Sequence, residues 1–165
     1  MTMTTMTKPY SQISLAETVD LIASVGDKVT VFAQGHIGTG KSSMLKILAK
    51  RFPNYLPCYV DCTNLDVGDL QIPKVKSIDG VDVTSFVPNE VLGFHQERPV
   101  ILMFDEISKA SNAVKKAVLR TMLERAQGVN SLPEGSIVFA TGNLALEGVS
   151  DMLEAHARNR LCVVK

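Results

Sequence analysis

Eight consecutive residues, Gly35-His36-Ile37-Gly38-Thr39-Gly40-Lys41-Ser42, fit the pattern G-x-x-x-x-G-K-[ST]. Glycines there let successive backbone N–H groups turn inward as an anion-binding nest, which a Cβ would obstruct. Lys41 can reach the β- and γ-phosphates of a nucleoside triphosphate, and the Ser42 hydroxyl can ligate Mg²⁺. Ser43 opens the segment that follows, so the phosphate-contacting set runs from Gly35 to Ser43. Asp105 and Glu106 close a strongly apolar run. An acid there can hold Mg²⁺ through its water shell, and its neighbour can orient and deprotonate a water that attacks the γ-phosphate. Asn143 follows the next apolar run. Its amide either hydrogen-bonds that water or the γ-phosphate, or occupies a turn after Gly142. Arg158 and Arg160 precede the last apolar run. They either pair with surface acids or stabilise phosphate charge in a transition state, including that of a neighbouring subunit.

These side chains can meet only if a strand feeds the glycine loop and a helix leaves it. Val29 to Ala33 is β-branched and apolar, which predicts a buried strand; Ser43 to Phe52 has helical spacing, with Met44, Leu45, Ile47, Leu48 and Phe52 on its core side. The helix N-terminus would add its dipole to the phosphate attraction. Upstream, Ser14-Leu15-Ala16-Glu17 reads as a capping box for a helix ending at Gly26. Pro57 to Cys62 is a second strand, Pro99 to Phe104 a central one, and Ser136 to Thr141 another. Between the last two, Ala110, Ala113, Val114, Ala117, Val118 and Met122 form a helical stripe, with Lys115, Lys116, Arg120 and Glu124 outside it. A weaker helix is expected over 150–157 and a final strand over Leu161 to Val164. Between Thr63 and Glu97 periodicity fades, and a stretch this long without clear elements is functional or an insertion. Strands alternating with helices predict a mostly parallel five-stranded sheet covered on both faces, an α/β three-layer sandwich; with the glycine loop after its first strand it resembles the P-loop NTPase fold.

The chain of 165 residues is 45% hydrophobic and 21% charged, an ordinary globular composition with one core. Seventeen basic residues balance seventeen acidic ones, so no global field draws it to nucleic acid or anionic membranes. Three cysteines, Cys58, Cys62 and Cys162, have no nearby His or second Cys pair and read as small buried hydrophobes in a reducing, cytoplasmic setting. Residues 1–13 read as a flexible leader without a secretory core, and no apolar run approaches the length of a membrane span.

Taken together, Gly35–Ser42, Val100–Glu106, Ala140–Asn143 and Arg158–Arg160 resemble an AAA+ ATPase. Asp105-Glu106-Ile107-Ser108-Lys109-Ala110 is similar to the DEINRA signature of the MoxR-like and dynein-related group, and Phe86-Val87-Pro88-Asn89-Glu90 also resembles that group. The resemblance covers residues 14–165. It implies that Gly35 to Ser42 is the Walker A loop, that Asp105 and Glu106 are the Walker B pair, and that Asn143 is sensor 1. It makes Arg160 the best match to an arginine finger, with Arg158 second. It also implies ATP and Mg²⁺ as ligands, a homo-oligomeric ring (usually a hexamer), and a protein client touched by part of Asp66 to Val87. The hairpin expected before sensor 1 is reduced to about Gln127–Gly135, no Phe follows Arg160, and the sequence stops at Lys165, where the family's C-terminal helical lid would begin. A lidless core is expected to bind nucleotide less tightly and to be weakly active.

The leading expectation is an ATP-hydrolysing remodelling protein. A P-loop kinase for a small molecule is the alternative, as is a nucleotide-binding switch or motor subunit of a nucleic-acid-processing complex. An acid pair followed by a sensing amide favours water over a small-molecule acceptor.

Overall fold

A computed structural model of the protein describes residues 12–36, 38–143 and 160–165. The first helix, α1 (Leu15–Val25), starts at the expected box. The Ser14 hydroxyl accepts from the Glu17 amide, and the Glu17 carboxylate accepts from the Ser14 amide. Strand β1 (Thr30–Gly35) then runs into the glycine loop, which passes through a single 3₁₀ turn over Lys41–Ser43 into α2 (Met44–Arg51). Strand β2 (Leu56–Asp61), the short α3 (Val67–Leu70) and the pair β3 (Gln71–Ile78) and β4 (Val81–Pro88) follow. The rest comprises β5 (Val100–Asp105), α4 (Asn112–Glu124), the two-residue strands β6 (Ala126–Gln127) and β7 (Asn130–Ser131), β8 (Ile137–Asn143) and β9 (Leu161–Val164).

Five of these strands form one sheet in the order β2-β5-β8-β1-β9, and all four ladders are parallel. Side-chain alternation divides the core between the two faces. Phe32, Leu102, Phe104, Val138 and Ala140 pack with Val114, Val118 and Met122 of α4. Val31, Ile101, Met103, Ile137 and Phe139 pack with Val19, Ile22, Met44, Leu45 and Leu48 of α1 and α2. This is the three-layer sandwich that the alternating pattern predicts. The order places β1 between β8 and β9, so the chain reverses its direction of travel across the sheet beside the glycine loop. In open α/β sheets that crevice, outside the carboxyl ends of the strands, is where ligands bind.

Four details differ from the sequence reading. The stretch of weak periodicity contains an antiparallel ribbon of eight residues per strand, paired from Gln71↔Pro88 to Ile78↔Val81. Its turn is Asp79-Gly80, both at positive φ (53° and 80°), as a tight I′ hairpin turn demands. Lys115 is buried on α4 rather than outside the stripe, and Ile47 is 43% exposed rather than on the core side of α2. Ile13, counted with the leader, donates its amide to the Lys165 carbonyl at 3.0 Å and so extends the β9 edge. Residues 1–11, and with them most of the leader, lie outside the described residues, as does the helix expected over 150–157.

Candidate nucleotide site

The carboxyl ends of β1, β5 and β8 bring three loops to one edge of the sheet. After β1, Gly38 and Gly40 take φ of 83° and 80°, the left-handed conformation that turns consecutive amides to one side. Gly35 lies against the lysine it encloses: a Cβ there would sit 3.2 Å from Thr39 Oγ1 and 3.8 Å from Lys41 Nζ. Lys41 is buried, and its ammonium donates to the carbonyls of Gly35 (3.1 Å) and His36 (2.8 Å) inside the curl of the loop. His36, Thr39 and Gly40 are exposed along the rim, and Ile37 lies outside the described residues.

Asp105 ends β5 and is only 3% exposed. Burying a carboxylate is costly unless it is hydrogen-bonded, and three hydroxyls serve it. Ser42 Oγ and Tyr59 OH donate to Oδ2 at 2.8 and 2.9 Å, and Thr141 Oγ1 donates to Oδ1. Thr141 also accepts the Glu106 amide at 3.1 Å, tying β8 to the turn after β5. Glu106 itself sits at φ 56°, ψ 37°. That left-handed geometry costs a non-glycine residue energy and clusters at functional sites.

The Glu106 carboxylate accepts from Asn143 Nδ2 at 3.1 Å and from Lys109 Nζ at 3.0 Å. Donation to a carboxylate fixes which way the Asn143 amide faces, since a flipped amide would set two acceptors against each other. Asn143 Oδ1 is then a buried acceptor with no hydrogen-bond partner among the described residues. The Ser108 hydroxyl accepts the Asn143 backbone N–H at 2.9 Å. Gly142 permits this closeness, because a Cβ there would come within 2.8 Å of Ser108 Oγ and 2.9 Å of the Phe32 ring.

Burial, reinforced by the bond to Asp105, pushes the Tyr59 phenol up to about 12, so it remains a donor at ordinary pH. Asp61 is held below the usual carboxylate range, chiefly by the Thr63 amide and also by the charge of Lys109. Burial pushes the Cys58 thiol up and, with Asp61 and Asp105 nearby, raises that of Cys62 to about 12. Beside Gly35 and Lys41 the crevice opens into a cavity of about 460 Å³ that reaches Ile13, Leu15 and Val164. Cavities of that size, apolar with a few polar groups, suit small ligands.

Lys41, Ser42, Asp105, Glu106 and Asn143 thus converge at one site. Arg160 does not join them. Leu161 pairs with Thr30, so Arg160 is exposed near the amino end of β1, a strand's length (roughly 16 Å) from the glycine loop. Arg158 lies outside the described residues. Tyr59 lies outside every motif, and Ser108, Lys109 and Thr141 lie within the quoted tracts but carry no assigned role there. Tyr59 precedes the carboxyl end of β2, and Thr141 lies near that of β8. Position on the sheet edge is the signal that could have found them.

Solved structures share this architecture. The chain superposes on a protein from Cytophaga hutchinsonii assigned as an ATPase (TM-score 0.56, 17% identity, 91% of this chain and 46% of that one). It also matches NtrX from Brucella abortus (TM-score 0.56, 14% identity, 95% of this chain and 38% of that one). A third match is Hsp104 in a closed state with ATPγS and casein (TM-score 0.62, 18% identity, 90% and 31%). The chain spans less than half the length of each, and identities this low bear on the fold alone. No curated protein matches the sequence. The model of the AAA family, "ATPase family associated with various cellular activities", matches residues 31–163. With the fold and the converging residues, that match carries the assignment: the chain belongs to the AAA family of ATPases.

Proposed function

We propose that the protein binds and hydrolyses ATP with Mg²⁺ and uses the cycle, as a ring of identical subunits, to remodel a protein partner in the manner of the MoxR-like group. The observation that carries this reading is the pairing of Ser42 Oγ with Asp105 Oδ2 at 2.8 Å, with Glu106 and Asn143 joined at 3.1 Å on the adjoining strand ends. Ser42 and Asp105 are hard oxygen donors that suit Mg²⁺. The nest of Gly35 to Ser43 and the Lys41 ammonium suit phosphate. Ser42 and Asp105 would hold Mg²⁺ there, and it would supply charge neutralisation to the triphosphate.

In this reading Lys41 and the loop amides hold the triphosphate, and the cavity beside Gly35 takes the nucleoside. Glu106 accepts a proton from water as the water oxygen bonds to the γ-phosphorus. The bond from that phosphorus to the β–γ bridging oxygen breaks, and the electron pair leaves with ADP. Asn143 Oδ1, the buried acceptor without a partner among the described residues, suits a water proton better than a phosphate oxygen. Arg160 would serve the neighbouring subunit's nucleotide, and Arg158 is the second candidate for that role.

The β3–β4 ribbon is the candidate client-contacting element. It carries Ile72, Val75, Ile78 and Val81, each at least half exposed. Hsp104, which shares the fold, was solved with casein, and the exposed ribbon supports an analogous protein client here. No helix among the described residues is long and apolar enough to cross a membrane. The test is release of phosphate from ATP by the full chain, with and without EDTA, alongside equilibrium binding of a fluorescent ATP analogue. Turnover abolished by EDTA supports the reading. Absence of nucleotide binding under any condition overturns it.

A further inference from the structure

We propose that Tyr59 is a positioning residue that fixes the Asp105 carboxylate for the magnesium–nucleotide complex, an assignment that rests on the ATPase reading above. Tyr59 stands on β2 at the edge of the sheet, in register with Met103, two residues before the Asp61↔Asp105 pair. Its side chain therefore leaves the sheet on the face that carries Asp105. The residue is 48% exposed, so its bulk does not fill the core. An edge tyrosine with that much exposure can point its hydroxyl at water. Instead the hydroxyl reaches inward and donates to Asp105 Oδ2 at 2.9 Å, on the same oxygen that accepts Ser42 at 2.8 Å.

A carboxylate has about four lone-pair directions. Ser42 and Tyr59 take two on Oδ2, and Thr141 takes one on Oδ1. One direction remains for a water in the cation's shell. Ser42 and Thr141 engage one oxygen each, and Ser42 is itself a candidate cation ligand, so Tyr59 is the donor on Oδ2 that holds the carboxylate independently of the glycine loop. Tyr59 supplies a donor from β2, across β5 from the Thr141 donor on β8. Groups that orient a metal-binding side chain in this way contribute about 10–100-fold to metal affinity. The contribution is selective, because Tyr59 makes no hydrogen bond to the glycine loop among the described residues. Binding of nucleotide without metal should not depend on it.

The test is Tyr59→Phe in the full chain, which keeps the ring and removes only the donor. Equilibrium binding of a fluorescent ATP analogue is measured against Mg²⁺ concentration and again in EDTA, with thermal midpoints recorded for both proteins. The expected result is about a tenfold rise in the Mg²⁺ concentration for half-maximal binding enhancement. Affinity in EDTA should be unchanged, and the midpoint, lowered by the lost bond to a buried carboxylate, should stay well above the assay temperature. An unchanged Mg²⁺ dependence overturns the proposal, and so does an equal loss of affinity with and without metal, which would mean a general disturbance. If the unmodified protein shows no Mg²⁺-dependent nucleotide binding, the ATPase reading itself fails; that outcome is separate from a variant that merely behaves like the parent.

Discussion

Glu106 combines three costs and constraints in one residue: left-handed backbone, a lysine at 3.0 Å and an amide at 3.1 Å. On the proposed chemistry Glu106→Gln removes the proton acceptor while retaining shape. Turnover should fall about 10²–10⁴-fold, with nucleotide affinity held; undiminished phosphate release would remove Glu106 from that role. Lys41→Ala deletes the only cation inside the glycine loop among the described residues. Charged hydrogen bonds are worth about 1.5–3 kcal/mol each, so affinity for ATP should drop by roughly tenfold or more in a binding titration. Unchanged affinity would count against the loop as a phosphate cradle. These residues announce themselves in sequence because a phosphate nest requires glycine and a cation at fixed spacing. Tyr59 and Thr141 do not, since a hydroxyl on a strand reads as ordinary β-propensity until the neighbouring strand is known.

Among the elements, the central strands β1, β5 and β8 were legible because each is an apolar run bounded by turns and largely buried on both faces, as in parallel sheets. The β3–β4 ribbon was not, although Asp79-Gly80 between alternating residues is a strong short-range hairpin signal. Pro73 in one strand and the charged Lys74 and Lys76 masked the alternation, and Pro73 is tolerable because an isolated two-stranded ribbon has only edges. Replacing 72–87 with a short glycine-serine turn should leave the thermal midpoint within a few degrees and retain ATP binding, since the ribbon adds little to the core. A collapse of the fold would show that it braces the sheet. Gly142→Ala is the opposite case: its Cβ would collide with Ser108 Oγ and the Phe32 ring. Overpacking of that kind costs about 1–3 kcal/mol, readable as a lower unfolding midpoint in denaturant; no shift would mean that β8 yields locally. The β6–β7 turn reaches the ribbon through Asn130 Nδ2, which donates to the Phe86 carbonyl at 3.3 Å. The two hairpins therefore touch, which neither local sequence could indicate.

At the scale of the whole molecule, strand order separates what the motifs list together. Lys41, Asp105, Glu106 and Asn143 occupy the carboxyl edge of the sheet, whereas Arg160 lies at the amino edge. If Arg160 completes a neighbour's site, then Arg160→Ala mixed with Glu106→Gln should recover part of the lost turnover. Each variant supplies the group that the other lacks. Failure to complement in a verified mixed assembly would rule out that division of labour. The same separation has a consequence for bench enzymology. On that division of labour, a subunit whose own arginine cannot reach its own phosphate would have no complete catalytic unit when alone. Specific activity should therefore fall on dilution even at saturating ATP, as assemblies dissociate, and the dilution curve would report the subunit affinity without any need to image a ring.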